Sequence, residues 1–245
     1  ETWEKKLWDK NKKNEIIAEQ VYPGDQDYIN HFYSLLKAFS DKRYIRVDGK
    51  LLFIIYRPLD CPDVSNMMNI WRDLATKEGL GDFYFVAKDF DCRDKDKLFS
   101  YGFDAIYNDT VLNIHHKLST ANKIRLKVQR DVFGMPTTFK YSEAIKYMIT
   151  EDDKQDNIFP LIAPNWDHSP RSGRKSLILT DCAPHFFEKV VRNAVEVIQN
   201  KPEEQKIVMI RAWNEWGEGN HLEPDLKYGL GYLEAIKRVR NEMGI

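Results

Sequence analysis

The chain has 245 residues, and its 37 Lys and Arg offset 38 Asp and Glu to a formal net charge of -1. A chain of this size can bury a core of its own as one large domain, and so even a charge gives no electrostatic basis for binding nucleic acid or an anionic membrane. No run of about 18 apolar residues occurs, so no membrane span is expected, and the three scattered cysteines Cys61, Cys92 and Cys182 offer neither a disulfide framework nor zinc-ligand spacing, which fits a reducing, cytoplasmic setting.

The sequence opens on Glu1 rather than Met, with no targeting segment, and reads as starting inside something larger. Residues Glu1 to Gln20 mix Trp, Lys and Asn without a period and suggest irregular surface chain. From Asp25 to Phe39 the apolar residues Tyr28, Phe32, Leu35, Leu36 and Phe39 recur at helical spacing. Asp48-Gly49 turns the chain into Leu51 to Tyr56, an apolar run that suggests a strand buried on both faces, as in parallel sheets, and Pro58 ends it. Val64 to Lys77 is a second helix, with Met67, Met68, Trp71, Leu74 and Ala75 on one face and Gly79 and Gly81 as the stop. Phe83 to Ala87 is the next strand. A short helix from Lys95 to Tyr101 leads to a strand at Asp104 to Tyr107. Leu112 to Thr138, basic in part, reads as a helix followed by a loop, and Tyr141 to Thr150 as a helix. Asn157 to Ala163 is a strand, Ala183 to Gln199 a long helix, Lys206 to Trp213 the last strand and Gly229 to Glu242 the closing helix.

Strands alternating with helices make about five βα units and a parallel sheet, either an open doubly wound sheet or a (β/α)8 barrel. No Gly-x-Gly-x-x-Gly follows the first strand and no Walker-type loop is present, which weighs against nucleotide binding. A complete barrel needs eight strands, more than these residues supply.

Most of the strands end in polar or aromatic residues: Tyr56-Arg57, Tyr107-Asn108, Asn165-Trp166-Asp167 and Asn214-Glu215-Trp216. Sites in such folds form at the carboxyl ends of strands. The last case is the sharpest, because Glu215 and Glu218 bracket Trp216-Gly217. Their spacing permits the separation of about 5–9.5 Å used by carboxyl pairs that cleave glycosidic bonds. Gly217 and Gly219 let the backbone bend, and mutual repulsion would raise one carboxyl and supply an acid at neutral pH. An acidic solvated loop has the same spacing. Asp167 and Arg171 form a second cluster, suited either to sugar hydroxyls or to each other. His115 and His116 are adjacent and make a poor metal pair, whereas His168 and His221 lie near the two clusters as lining residues. Six Trp suit sugar stacking or a Trp-rich core. The sequon Asn108-Asp109-Thr110 is a common chance match.

The run Trp213-Asn214-Glu215-Trp216-Gly217-Glu218-Gly219-Asn220-His221-Leu222-Glu223-Pro224-Asp225 resembles the signature of the WbsX-like proteins, also described as glycoside hydrolase family 99-like and found in polysaccharide and lipopolysaccharide biosynthesis loci of bacteria. Tyr44 to Lys50 with Arg57-Pro58, the loop Asn165 to Arg171, and Glu1-Thr2-Trp3 with Trp8-Asp9 resemble further segments of that family. The resemblance implies one (β/α)8-barrel domain over residues 1–245, comprising five βα units, with the first three strands ahead of Glu1. By position, it implies that Glu218 is the general acid/base and Glu215 the base assisting a sugar 2-hydroxyl, with retention through a 1,2-anhydro intermediate and no metal or organic cofactor. Trp3, Tyr56, Arg57, Tyr107, Trp166, Asp167, Arg171, Asn214, Trp216 and His221 would bind an oligosaccharide or polysaccharide of mannose or related type. Family 99 has His in place of Gly217. Two other readings are a glycosyltransferase of surface-polysaccharide biosynthesis and a non-catalytic glycan-binding barrel.

Overall fold

The computed structural model describes residues 2–4, 15–111, 114 and 118–244; Trp8, Asp9, Leu112, His115 and His116 lie outside them. Near the amino terminus β1 (Trp3–Glu4) pairs antiparallel with β2 (Ile16–Ala18), where the sequence suggests irregular chain. Two short strands so far apart leave no local signal. Helix α1 (Asp25–Phe39) buries Tyr28, Phe32 and Phe39, the stripe its periodicity marks. Next come β3 (Arg46–Val47) and β4 (Lys50–Ile55), an antiparallel pair. Their turn residues Asp48 and Gly49 sit at φ 51° and 73°, the left-handed pair that an Asp-Gly hairpin turn requires.

The chain continues through α2 (Val64–Lys77), β5 (Phe83–Asp89), α3 (Lys95–Ser100), β6 (Ala105–Asn108), α4 (Thr120–Asp131) and β7 (Thr137–Lys140). After these come α5 (Tyr141–Ala144), β8 (Ile158–Ile162), α6 (Ser169–Ser172), β9 (Leu177–Thr180) and α7 (Pro184–Ile198). The last elements are β10 (Met209–Ile210), β11 (Asn214–Glu215), β12 (Asn220–His221) and α8 (Gly231–Met243). The main sheet has six strands in the order β10-β8-β6-β5-β4-β3. From β4 to β10 all its pairings are parallel. These five strands lie side by side in chain order. A doubly wound sheet reverses at a switch point and a (β/α) barrel does not, so the topology is that of a barrel wall.

Alternate residues along β5 divide the core. Phe83, Phe85 and Ala87 pack with Trp71, Met68 and Phe32 of the first two helices, while Tyr84 and Val86 pack with Tyr107, Phe159 and Leu161. Trp71 anchors the first group. It is fully buried, its ring centroid is 4.7 Å from that of Phe53, and its Nε1 donates to the Tyr28 carbonyl at 2.9 Å.

Several elements depart from the sequence reading. β4 is not buried on both faces: Ile54 is 36% exposed, because only the two-residue β3 lies beyond it in the sheet. The helix expected over Tyr141 to Thr150 breaks after α5 into a tight turn at Ile145–Tyr147. Beyond that turn Thr110 Oγ1 donates to the Met148 carbonyl and Asn108 Nδ2 to Thr150 Oγ1, so tertiary bonds replace helical ones. The stretch expected to end as a loop at Thr138 instead runs into β7, which pairs in parallel with β9 in a separate two-stranded sheet. The strand expected over Lys206 to Trp213 forms a ladder only at Met209 and Ile210, and the chain then enters the β11–β12 hairpin. Among the described residues no helix is long and apolar enough to cross a membrane.

Candidate active site

Inward positions on adjacent strands change from apolar to charged at the carboxyl end of the sheet. Lys88 near the end of β5 and Asp109 just past β6 are 6% and 0% exposed. The Lys88 ammonium lies 3.1 Å from Asp109 Oδ2, and Arg211, which follows β10, pairs with the same oxygen. Burying charge is costly unless it is matched, so one carboxylate shared by two cations ties three strand ends together. Lys88 Nζ sits 4.2 Å from the centre of the Tyr56 ring, and the Arg211 guanidinium sits 4.6 Å from the Trp166 ring. Burial, then the charges of Asp109 and Tyr56, push the Tyr107 hydroxyl upward. The floor of the site is thus Tyr56, Lys88, Tyr107, Asp109, Trp166 and Arg211.

Above the floor is the loop after β8. Trp166 is buried and stacks on His168, with ring centroids 5.8 Å apart. Asp167 Oδ1 accepts the Ser169 N–H at 2.9 Å, which shapes the entry to α6, and the Asp167 N–H donates to the Glu218 carbonyl at 2.8 Å. From α6, Arg171 reaches both acidic residues. Its Nη1 donates to Glu218 Oε1 at 2.7 Å and its Nη2 to Glu215 Oε1 at 3.1 Å. His168 Nε2 lies 3.2 Å from that same Glu218 oxygen. One planar guanidinium touching both carboxylates holds the two acids close together at one point of the site.

The electrostatics correct one expectation. Burial pushes the Glu218 carboxyl upward, but the His168 hydrogen bond and the charges of His168, Arg171 and Arg211 outweigh it and hold Glu218 below the ordinary carboxylate range. Repulsion between the two acids does not govern Glu218, because Arg171 lies between them.

The β11–β12 hairpin presents these acids. Its turn, Trp216–Glu218, closes at Gly219 with φ 51°. A Cβ at Gly219 would stand 2.8 Å from Asp167 Cβ, and one at Gly217 would stand 3.2 Å from both Arg171 Nη2 and Glu215 Oε1. Both glycines therefore make room for the loop that carries the arginine. Asn220, fully buried, clamps the hairpin down: its Nδ2 donates to the carbonyls of Asn165 at 2.6 Å and Arg211 at 2.9 Å.

Tyr56, Tyr107, Trp166, Asp167, Arg171, Glu215 and Glu218 are thus gathered at one end of the sheet. Trp216 and His221 stack on each other, 3.7 Å between centroids, and line a separate cavity beside the hairpin. Asn214 is exposed and pairs with His221 in the ladder. Arg57 Nε is 2.6 Å from Asp60. Trp3 is in β1 of the amino-terminal ribbon, which forms a two-stranded sheet of its own. Lys88, Asp109, Arg211 and Asn220 escape the sequence reading. Lys88 had a faint signal, an ionic residue at the inward position after an apolar strand, whereas Asp109 was hidden within the sequon, all three residues of which are buried. The cysteines are unpaired, and burial pushes the Cys92 and Cys182 thiols up to about 12, which keeps them from thiolate chemistry near neutral pH.

Residues 1–236 match the sequence family Glycosyltransferase WbsX. The chain belongs to that family. The WbsX match takes in the whole site, from Tyr56 to Asn220. The Uncharacterized protein WxcX of Xanthomonas campestris pv. campestris is 27% identical to this chain over 243 residues in strain B100 and 26% identical in a second strain. Each alignment covers 98% of this chain and 33% of the relative, so the chain spans a third of the length of these curated relatives. Two solved structures of the GH99 endo-alpha-mannosidase from Bacteroides thetaiotaomicron share the fold. One, in complex with BIS-TRIS-propane, gives a TM-score of 0.53 at 13% identity and covers 91% of this chain and 69% of that one. The other gives 0.54 at 14% identity, covering 91% and 63%. At such identity the likeness is one of architecture, the α/β barrel wall that the strand order already indicates.

Proposed function

We propose that this site acts on a glycan of mannose or related type by a retaining, two-carboxylate reaction at the anomeric carbon. The observation that carries the reading is the single Arg171 guanidinium joining Glu215 and Glu218 at the carboxyl end of a barrel-type sheet. Glu218 gives its proton to the departing glycosidic oxygen. Glu215 takes the proton of the 2-hydroxyl as that oxygen closes on the anomeric carbon, forming a 1,2-anhydro sugar. Water then opens the ring, losing its proton to Glu218 while Glu215 returns one to the 2-oxygen. His168, in contact with Glu218, is placed to deliver the starting proton, and entry of the sugar draws Arg171 away from Glu218 so that the acid can form. We read the sheet as the later part of a (β/α)8 barrel whose first three strands lie ahead of Glu1, a reading supported by the exposed Ile54 beside the thinly covered edge of β4.

A second reading has its own support. In the resting site Glu218 is held ionised by His168 and Arg171, and an ionised Glu218 suits a leaving group that is already anionic and needs no proton, as in a glycosyltransferase using a sugar-phosphate donor. Turnover assays on α-mannan oligosaccharides and on nucleotide-sugar donors separate the two. Glu215→Gln and Glu218→Gln are each expected to reduce turnover by about a thousandfold or more with unchanged circular dichroism. Full activity in either variant defeats the carboxylate mechanism. Release of nucleotide with transfer of the sugar favours the second reading.

A further inference from the structure

A cavity of about 820 Å³ opens beside the β11–β12 hairpin, and neither Glu215 nor Glu218 lines it. Its walls include Trp216, His221, Tyr228 and Tyr232, together with Cys182 and Asp225. Trp216 is 49% exposed yet fixed in place. His221 stacks on one side of it at 3.7 Å, with 13° between the planes, and the Trp216 Nε1 donates to Glu223 at 2.7 Å. Holding a large ring still while half its surface faces water costs side-chain entropy and leaves apolar area hydrated. A ligand that covers the ring removes that apolar area from water and incurs no further entropy cost for ordering it. A flat, immobile indole is the surface on which the apolar face of a pyranose stacks.

The charges of the cavity are already matched. Asp225 accepts the backbone N–H groups of Lys227 at 2.8 Å and Tyr228 at 2.6 Å, and its other oxygen is 3.3 Å from His221 Nε2. The Lys227 ammonium lies 4.8 Å from the centre of the Tyr228 ring. An incoming ligand therefore need bring no charge. Hydrogen-bond capacity remains for hydroxyls: the Tyr228 hydroxyl donates to the Cys182 carbonyl at 3.0 Å and keeps its own lone pairs. The volume falls in the range of about 300–1,000 Å³ typical of small-molecule sites. Trp216 directly follows Glu215 in the chain, so the cavity and the carboxylates share the one hairpin.

We propose that this cavity is a second sugar site, taking neutral hexose units of a glycan that continues past the residue at Glu215 and Glu218. The link to the same glycan rests on the function proposed above; binding of neutral sugar in the cavity does not. The test uses the chain carrying Glu218→Gln to prevent turnover. Manno-, gluco- and galacto-oligosaccharides of one to six units are titrated by calorimetry and by NMR of the indole N–H signals. The expected result is a saturable shift of the Trp216 indole signal and an affinity gain of about tenfold or more between monosaccharide and trisaccharide in at least one series. Tyr228→Ala removes that gain. Leu226→Asp, at a cavity-lining residue whose side chain is fully in solvent and so bears no packing, reduces it several-fold. A length gain that survives both variants overturns the proposal, as does saturation without movement of Trp216, binding confined to charged sugars, or no binding in any series. Cavity binding in a protein without turnover would sink the catalytic reading alone, and turnover without cavity binding would sink this one alone.

Discussion

Arg171 joins the two acids of the site. It is the contact through which two acidic side chains on one hairpin become a defined pair, and after His168 it adds to the pull that holds Glu218 low. Because Glu218 is held below the ordinary carboxyl value of 4.5, its ionisation favours the folded state above that value. The contribution is lost as pH falls through the lower folded value. In Arg171→Gln the Glu218 carboxyl is expected to titrate at higher pH, and the acid limb of the stability curve should begin at higher pH. Carboxyl 13C NMR against pH reads the first effect and urea unfolding at several pH values reads the second. An unmoved Glu218 titration would show that His168 and Arg211 hold the charge without Arg171.

At the scale of the element, the β11–β12 hairpin turns a strand end into a reactive edge. Its turn works because two positions lack a Cβ. Gly219 adopts φ 51° with Asp167 directly against it. Gly219→Ala combines a left-handed backbone strain with a clash against the Asp167 Cβ and backbone, and is expected to cost about 1–3 kcal/mol. A drop in the urea midpoint at constant slope would register it; a midpoint equal to wild type would mean that the loop after β8 yields without cost. Asn220 acts on the same element from beneath, with one amide held by two segments of the sheet.

For the whole molecule the joining piece is Asp109. Its carboxylate pairs with both Lys88 of β5 and Arg211 after β10, and so connects strands that are far apart in sequence. Asp109→Asn keeps the shape and removes the charge, leaving the buried Lys88 and the part-buried Arg211 with no counter-charge at that oxygen. The expected loss is about 3–5 kcal/mol, the usual penalty for breaking a buried pair, read as a large fall in melting temperature. Lys95→Gln, at the part-exposed pair with Asp152, serves as the control and should leave the melting temperature unchanged. Equal effects of the two substitutions would remove the structural role argued for the buried cluster.

Local pattern alone carried much of this protein. The helices Asp25–Phe39 and Val64–Lys77 were legible because an apolar stripe at helical spacing, and for the second the glycines that end it, belong to one short stretch. β5 and β8 were legible as unbroken apolar runs, and Glu215 and Glu218 because glycines and tryptophans surround them in the chain. What the sequence could not supply was every feature whose partners are distant: the β7–β9 pair, the shortened β10, the burial of the Asn108-Asp109-Thr110 sequon and the Lys88–Asp109–Arg211 cluster. The separation of Trp216 and His221 into their own cavity was hidden for the same reason. Periodicity reports which face of an element avoids water. Which charge meets which, and therefore whether a carboxyl rises or falls, depends on distances that only tertiary packing sets.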